Sequence, residues 1–294
     1  MTPVCRVCGS SEAIQVGDTV AGAPDAAVYR CSKCTLLYLF PIMTEEEESN
    51  FYWLQFEKYM EGRTGGGWKS PEEHFRSYQA EGERRLPLVR SHLKPDDALL
   101  EIGSSTGFFL EDLKSYVRSV TGVEPGRTYR AFAIGRGIET VPGVEDLGGR
   151  RFDVIALYYV LEHLRDPVGY LASLRSRLNP GGRLLIEVPN IEDALLSVYQ
   201  IPNFPVFYWQ KAHYHYFSRL TLAEVLSRAG YEAQLTPVQR YDLSNHMVWM
   251  MEGKPGGMGR LGHLFTPEVE TAYAEALKAQ WVCDTIFAVA SMKD

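Results

Sequence analysis

The chain has no apolar run long enough to cross a bilayer. Its longest, around Ile155–Leu161 and Leu36–Met43, fall far short of the roughly 20 residues a membrane helix needs. The opening residues, Met1-Thr2-Pro3-Val4-Cys5, lack the basic start and apolar core of a secretory leader, so a cytoplasmic protein is expected. Positive charge is in short supply: 30 Lys and Arg stand against 37 Asp and Glu, for a net charge of −7. Constitutive nucleic-acid binders show a basic face, so neither a nucleic-acid nor a membrane partner is expected, and a small-molecule substrate is. Cysteine is sparse, and five in a cytoplasmic chain of 294 residues do not suggest a disulfide scaffold. There is no internal repeat and no low-complexity tract. What is left is an ordinary globular mixture, long enough for one large α/β domain and a small appendage.

Four of the cysteines form two pairs, Cys5-Arg-Val-Cys8 and Cys31-Ser-Lys-Cys34, with 22 residues between them. Each C-x-x-C loop can place two thiolates on one ion, and four thiolates complete a tetrahedral zinc site. Gly9 follows the first pair and permits the backbone turn such loops use. A redox dithiol would be a single C-x-x-C inside a thioredoxin-like βαβ pattern, which is missing. A four-cysteine site is closed to substrate, so its role is structural, and metal binding supplies folding energy that so short a segment lacks. Within residues 1–34, Arg6, Arg30 and Lys33 balance Glu12, Asp18 and Asp25. A neutral module is a poor phosphate reader, so a scaffold is expected. Cys283 stands alone and reads as a buried apolar residue.

Residues 1–40 are thus expected to be a zinc-binding module that resembles a zinc ribbon, and 41–95 a helical lid or linker. In the linker, Thr44 caps a helix that begins with the acidic run Glu45–Glu48. Phe51, Tyr52, Trp53, Phe56 and Tyr59 follow near helical spacing, as a core stripe or a lid. A break at Gly65-Gly66-Gly67 precedes a helix over 72–94 that stops at Lys94-Pro95. Residues 96–294 alternate strands with helices, the signature of a parallel α/β sheet. Strands are expected at Ala98–Ile102, Ser119–Val123, Ile138–Val141, Phe152–Leu157, Arg183–Val188, Glu232–Gln239 and Thr285–Ala290. A helix spans Thr221–Ala229 and ends at Gly230, and an aromatic-rich insert occupies about 191–220.

The most informative stretch is Leu99-Leu100-Glu101-Ile102-Gly103-Ser104-Ser105-Thr106-Gly107-Phe108-Phe109. An apolar strand runs into a turn of small residues and then a helix, which lets backbone approach a ligand at the strand's carboxyl end. Glu124, 21 residues after Gly103, ends the second strand and is placed to accept hydrogen bonds from ribose hydroxyls. These residues, with Phe152-Asp153-Val154-Ile155, Val160-Leu161-Glu162-His163-Leu164-Arg165-Asp166-Pro167 and Leu178-Asn179-Pro180-Gly181-Gly182, resemble the motif set of class I S-adenosylmethionine-dependent methyltransferases over roughly residues 80–290. The resemblance implies a Rossmann-like, doubly wound sheet of seven mostly parallel strands. It implies that Glu101 steers the methionine amino group, and that Gly103, Ser104 and Gly107 pass beneath methionine and ribose. Phe108 would lie near the cofactor, Glu124 with Pro125 would hold the ribose, and Val144 and Glu145 would border the adenine. Tyr158 would line the methyl-transfer side. The middle glycine of the usual motif is Ser105 here.

Methyl transfer is an in-line displacement that mainly needs positioning, with a base where the acceptor must lose a proton. The segment His213-Tyr214-His215-Tyr216-Phe217-Ser218 follows an insert containing Phe204, Phe207, Tyr208 and Trp209. Its H-x-x-Y-F-S pattern resembles sugar and natural-product methyltransferases, and the resemblance implies that His213 is the base. Ala212 stands where such enzymes often carry an acid. His215 reads as packing, His163 as a helix cap or pocket wall, and Tyr241, Asn245 and His246 as pocket lining or core hydrogen bonding. The expected function is methyl transfer from S-adenosylmethionine to a sugar, nucleotide-sugar or secondary metabolite, with structural zinc. The alternatives are an RNA or protein methyltransferase that uses the zinc module for recognition, and a non-catalytic protein of the same fold.

Overall fold

The computed structural model describes residues 2–56, 58–59, 68 and 70–293; the triple glycine at 65–67 lies outside them. Two sheets are formed. Strands β1 (Ala13–Gly17), β2 (Ala27–Cys31), β3 (Leu37–Phe40) and β9 (His215–Tyr216) make a four-stranded sheet in that order. The seven-stranded sheet holds β4 (Ala98–Ile102), β5 (Ser119–Val123), β6 (Glu139–Val141), β7 (Phe152–Tyr158), β8 (Leu178–Pro189), β10 (Tyr231–Val238) and β11 (Thr285–Met292). Its order is β10-β11-β8-β7-β4-β5-β6. β4 pairs in parallel with both β5 and β7, and β5 with β6. The expected Rossmann-like sheet is therefore present, with every strand at or within a few residues of its expected position. β8 starts five residues earlier than Arg183, because the Asn179-Pro180-Gly181-Gly182 turn is itself drawn into the strand.

Burial explains the order. All five residues of β4 are buried, and so are six of the seven in β7, which is the pattern of central strands covered on both faces. β6 is three residues long, and β10 alternates into exposed residues, as edge strands do.

By contacts the chain forms two compact units, one of residues 1–43, 161–172 and 187–288, the other of residues 44–160, 173–186 and 289–294. In the first, β3 pairs with β9 through Leu37 opposite Tyr216 and Tyr38 opposite His215. Its core gathers Val20, Val28, Leu39, Phe204, Tyr208, Trp209, Tyr216 and Trp249, so the aromatic insert is mostly core. The helix Arg219–Arg228 begins two residues before its expected start because Ser218 and Thr221 cap it reciprocally.

In the second unit, Thr44 and Glu47 form a capping box on the helix Glu45–Asn50. The aromatic run after it is only partly a core stripe: Phe51 is buried against Tyr52, Phe56 and Tyr59, while Trp53 is 63% exposed. The single helix expected over 72–94 is two, Pro71–Ser77 and Gln79–Arg90. The bend falls at Tyr78, whose ring stacks 4.4 Å from His74 and packs 5.3 Å from Phe108. No helix among the described residues is long and apolar enough to cross a membrane.

Candidate functional site

β4 delivers the chain into the turn 103–107, which enters the helix Phe108–Leu113. Three of the five turn residues are left-handed: Gly103 at φ 73°, Ser105 at 51° and Gly107 at 74°. A Cβ on Gly103 would meet Val160 Cγ2 at 2.6 Å, and one on Gly107 would meet Ile138 Cδ1 at 2.6 Å. Glycine is required at both positions for conformation and for space. Gly103 and Ser104 donate their N–H groups to the Val123 carbonyl at 2.8 and 3.0 Å, which ties the turn to the end of β5. Ser105, in the place of the usual glycine, is held by Glu124: its N–H donates to Glu124 Oε2 at 2.8 Å. Gly126 N–H donates to the other oxygen at 2.6 Å. Each carboxylate oxygen keeps further acceptor capacity at the tip of β5.

Glu101 is 3% exposed, and its Oε2 has no hydrogen-bond partner among the described residues; Ser104 Oγ is in the same condition. Burial pushes the Glu101 carboxyl up to about 8, with Arg85 pulling it back and Glu124 adding to the push. Buried polar atoms are almost always satisfied, so open ones beside a glycine turn point to a polar ligand. An acid and a hydroxyl of this kind can hold an ammonium and a sugar hydroxyl, and so fit S-adenosylmethionine. Tyr158, at the end of β7, packs edge-on against Phe109 at 5.5 Å. Phe108 and Tyr158 are buried, and Pro125 is half-buried beside Glu124. Val144 and Glu145 open a short helical turn soon after Val141, whose carbonyl accepts the Glu124 N–H at 2.9 Å. Val144 is half-buried and Glu145 exposed.

Two residues at this turn escaped sequence reasoning. Arg85 is buried on the helix Gln79–Arg90, its guanidinium 4.3 Å from the Tyr158 ring centroid and 3.0 Å from Glu81. His74 Nδ1 lies 3.2 Å from the Thr106 hydroxyl, and burial pulls its imidazole down to about 4. Neither sits in a motif; the only available signal was a cation and an aromatic-flanked histidine in the helices that precede β4.

The four paired cysteines come together. Cys5 and Cys34 sulfurs are 3.6 Å apart, and Cys8 and Cys31 are 3.4 Å apart. A tetrahedron with metal–sulfur bonds of about 2.3 Å has edges of about 3.8 Å, so the arrangement fits a zinc ion. The two loops share one backbone pattern. Gly9 N–H donates to the Cys5 carbonyl and Thr35 N–H to the Cys31 carbonyl, while Cys5 N–H reaches Ser10 and Cys31 N–H reaches Leu36. Gly9 and Thr35 are both left-handed, at φ 74° and 63°. Cys283 is buried and free.

His213 is half-buried and meets His163 edge to face, ring centroids 4.8 Å apart. The Gln210 side-chain amide lies 3.0 Å from His213 Nε2. His163 Nδ1 is 2.7 Å from the Ala212 carbonyl. Glu162 joins them: one ligand atom from each of Glu162, His163 and His213 falls within 4.8 Å of the others. Glu162 is 1% exposed and neither carboxylate oxygen has a hydrogen-bond partner among the described residues. Burial pushes its carboxyl up to about 8, and Glu187 adds to the push. Glu162 and His163 stood in a recognised motif, but nothing in the sequence joins them to a histidine 50 residues on. His215 packs in β9, stacked on Phe217, and burial pulls it down to about 3. His246 takes the core hydrogen-bonding role: its Nδ1 is 2.6 Å from Tyr273 Oη, which is 2.9 Å from Tyr199 Oη.

Comparison with known proteins gives the family and the fold. The sequence model of a family described as "Methyltransferase domain" matches residues 72–235, more than half of the chain. The C-methyltransferase NovU of Streptomyces niveus is 25% identical over 251 residues, 77% of this chain and 55% of NovU, so the chain spans about half of that relative. A ubiquinone biosynthesis O-methyltransferase of Xanthomonas axonopodis pv. citri is 25% identical over 166 residues, covering 53% of this chain and 69% of its own. A tRNA U34 carboxymethyltransferase of Dichelobacter nodosus is 32% identical over 110 residues, 34% of this chain and 35% of its own. In structure, a SAM-dependent methyltransferase from Archaeoglobus fulgidus superposes with a TM-score of 0.52 at 17% identity, over 80% of this chain and 99% of that one. That likeness speaks for the fold.

Proposed function

This chain belongs to the methyltransferase-domain family, and from that premise we propose that it moves the methyl group of S-adenosylmethionine to a small-molecule acceptor: a sugar, nucleotide-sugar or secondary metabolite. One observation carries the assignment of the cofactor site. A glycine-dependent turn is latched to the acid of the next strand by the Ser105–Glu124 hydrogen bond, beside a buried acid with an open oxygen, Glu101. Bound there, the cofactor supplies an electrophilic methyl: the acceptor's lone pair bonds to that carbon while the carbon–sulfur pair returns to sulfur.

The chain's own residues do the rest. Glu101 receives the methionine ammonium, with Arg85 offsetting its charge. Gly103, Ser104 and Gly107 let backbone pass beneath the ligand, Phe108 and Pro125 wall it, and Glu124 takes the ribose hydroxyls through its remaining lone pairs. Val144 and Glu145 border the adenine, and Tyr158 lines the side from which the methyl leaves. His213 activates the acceptor, by taking its proton or by otherwise easing that proton's loss. Residues 1–40 serve as a zinc-bound structural module, 41–95 as a helical cover, and 96–294 as the catalytic domain with its substrate insert. Metal analysis tests the module: about one zinc per chain is expected, lost in Cys31→Ser.

The acidic balance favours a small acceptor over RNA. A methyl-release assay that sets nucleotide-sugars and small hydroxylated metabolites against tRNA decides between them, and turnover on tRNA alone would end the small-molecule reading. His213→Asn is expected to cut kcat by about 10²–10⁴-fold, the usual worth of an acid–base group, with cofactor affinity measured by calorimetry unchanged. Unchanged turnover would remove His213 from the reaction.

A further inference from the structure

Three ligand-capable side chains meet around Glu162, and their surroundings are unusual for a packed interior. Glu162 is fully buried with both carboxylate oxygens unpartnered among the described residues. Its electrostatic neighbour Glu187 is a second fully buried acid, which compounds the negative charge. An uncompensated buried carboxylate costs roughly several kcal/mol, so the group keeps its proton instead, and a cation set against its two open oxygens would take that proton's place. We propose that Glu162, His163 and His213 bind a divalent first-row transition ion, and that an oxygen of the methyl acceptor takes an open position on it.

The geometry suits this occupant. One ligand atom from each residue lies within 4.8 Å of the others. Neither Glu162 carboxylate oxygen has a hydrogen-bond partner among the described residues, so this is contact distance for a shared ion rather than a direct bond. The Ala212 carbonyl 2.7 Å from His163 Nδ1 can only accept, so Nδ1 carries the proton and Nε2 the lone pair. A carbonyl partner on the far nitrogen is the arrangement that fixes the tautomer of a ligating histidine. Exposure is graded: Glu162 is buried while His163 and His213 are half-buried. Three protein ligands with one open side leave coordination positions for substrate. Two imidazoles and one carboxylate suit zinc, manganese, iron or cobalt, whereas magnesium favours an all-oxygen shell.

The inference rests on the placement of His213 at the acceptor and changes how it acts. His213 works as a ligand, and the acceptor is a compound with an ionisable oxygen. When a hydroxyl binds through its oxygen, the O–H bond breaks, the proton passes to water and the electron pair stays on oxygen, ready to receive the methyl. The positive charge of a bound ion is what lowers the cost of that loss at neutral pH.

The test uses the full chain loaded with one equivalent of zinc for the cysteines, freed of excess metal and titrated with Mn²⁺, the free ion being read by electron paramagnetic resonance. Manganese takes imidazole and carboxylate but not thiolate, so the cysteine site does not compete. One saturable Mn²⁺ per chain is expected, with Glu162→Gln and His213→Asn each weakening it at least about tenfold while thermal melting confirms that both fold. Absence of saturable binding in the parent protein, or binding that survives both substitutions, overturns the proposal. The two readings fail separately. Turnover that needs His213 in a protein that binds no Mn²⁺ removes the ion and leaves His213 at the acceptor. Mn²⁺ bound at the trio with turnover indifferent to His213→Asn overturns the acceptor's place on the ion.

Discussion

Two glutamates in this protein are buried alike and surrounded differently. Glu101, at the end of β4, and Glu162, after β7, are each almost wholly enclosed, each keeps an oxygen without a hydrogen-bond partner among the described residues, and burial lifts each carboxyl to about 8. Around Glu101 the protein has supplied a cation, since Arg85 pulls its acidity back. Around Glu162 it has supplied a second acid, Glu187, and two imidazoles. Burial alone therefore does not say what an acid is for. The first region needs only a modest complement, a hydroxyl or an ammonium. At the second, the charged neighbour that shifts the carboxyl is another acid rather than an arginine, which is why the proposed occupants differ.

The largest effect expected in the first region is at Glu124. Its carboxylate holds Ser105 N–H at 2.8 Å and Gly126 N–H at 2.6 Å, and hydrogen bonds to a charged group contribute about 1.5–3 kcal/mol each. Glu124→Ala removes both and, on the reading given, the ribose contact as well. Cofactor affinity should fall about 30–100-fold by calorimetry, with Mn²⁺ binding at Glu162 unchanged. The result would sharpen the contrast between a region that holds the cofactor and one that serves the acceptor. An affinity that stays within about twofold would dismantle the cradle, and lost Mn²⁺ binding would show that the two regions are not independent.

How much of this could be read from the chain follows from sequence separation. The turn 103–107 is one continuous βα turn, so its small residues, its buried strand and the acid at the tip of β5 carry a fixed pattern. The central strands were legible for the same reason, since β4, β7 and the second half of β8 are apolar runs of their own, while the edge strands β6 and β10 carried a weaker signal. The paired cysteines were legible because two C-x-x-C loops are themselves local, and the matching turns at Gly9 and Thr35 make one loop a copy of the other. His213 was reached only through resemblance. Its link to Glu162 and His163 was invisible, because tertiary packing joins segments 50 residues apart. Arg85 was hidden by the opposite problem: a helix with several arginines, Arg84, Arg85 and Arg90, gives no hint which one is turned inward. The split of the 72–94 helix at Tyr78 belongs with these, since aromatic packing with His74 and Phe108 overrode a continuous helical pattern.

The smaller effect is at Glu101, and its sign can be worked out. The carboxyl titrates near 4.5 in an unperturbed chain and near 8 when buried here. Between those values the folded protein holds a proton that the unfolded chain has lost, so this group makes stability fall as pH rises through the window. Binding reverses the preference, because an ammonium placed against Glu101 favours the carboxylate. At pH 7 the empty site is mostly protonated, so cofactor binding should expel close to one proton. Affinity should then rise with pH toward 8, by at most about tenfold per pH unit for a single proton. Calorimetry at pH 7 in buffers of different ionisation enthalpy reads the proton directly, and Glu101→Gln should abolish the release while lowering affinity only several-fold. The cofactor's own titration is common to both proteins and cancels in the comparison. Equal proton release from parent and variant would mean that Glu101 never meets the ammonium, and Arg85 would then be left as the group that the cofactor's amino-acid end approaches.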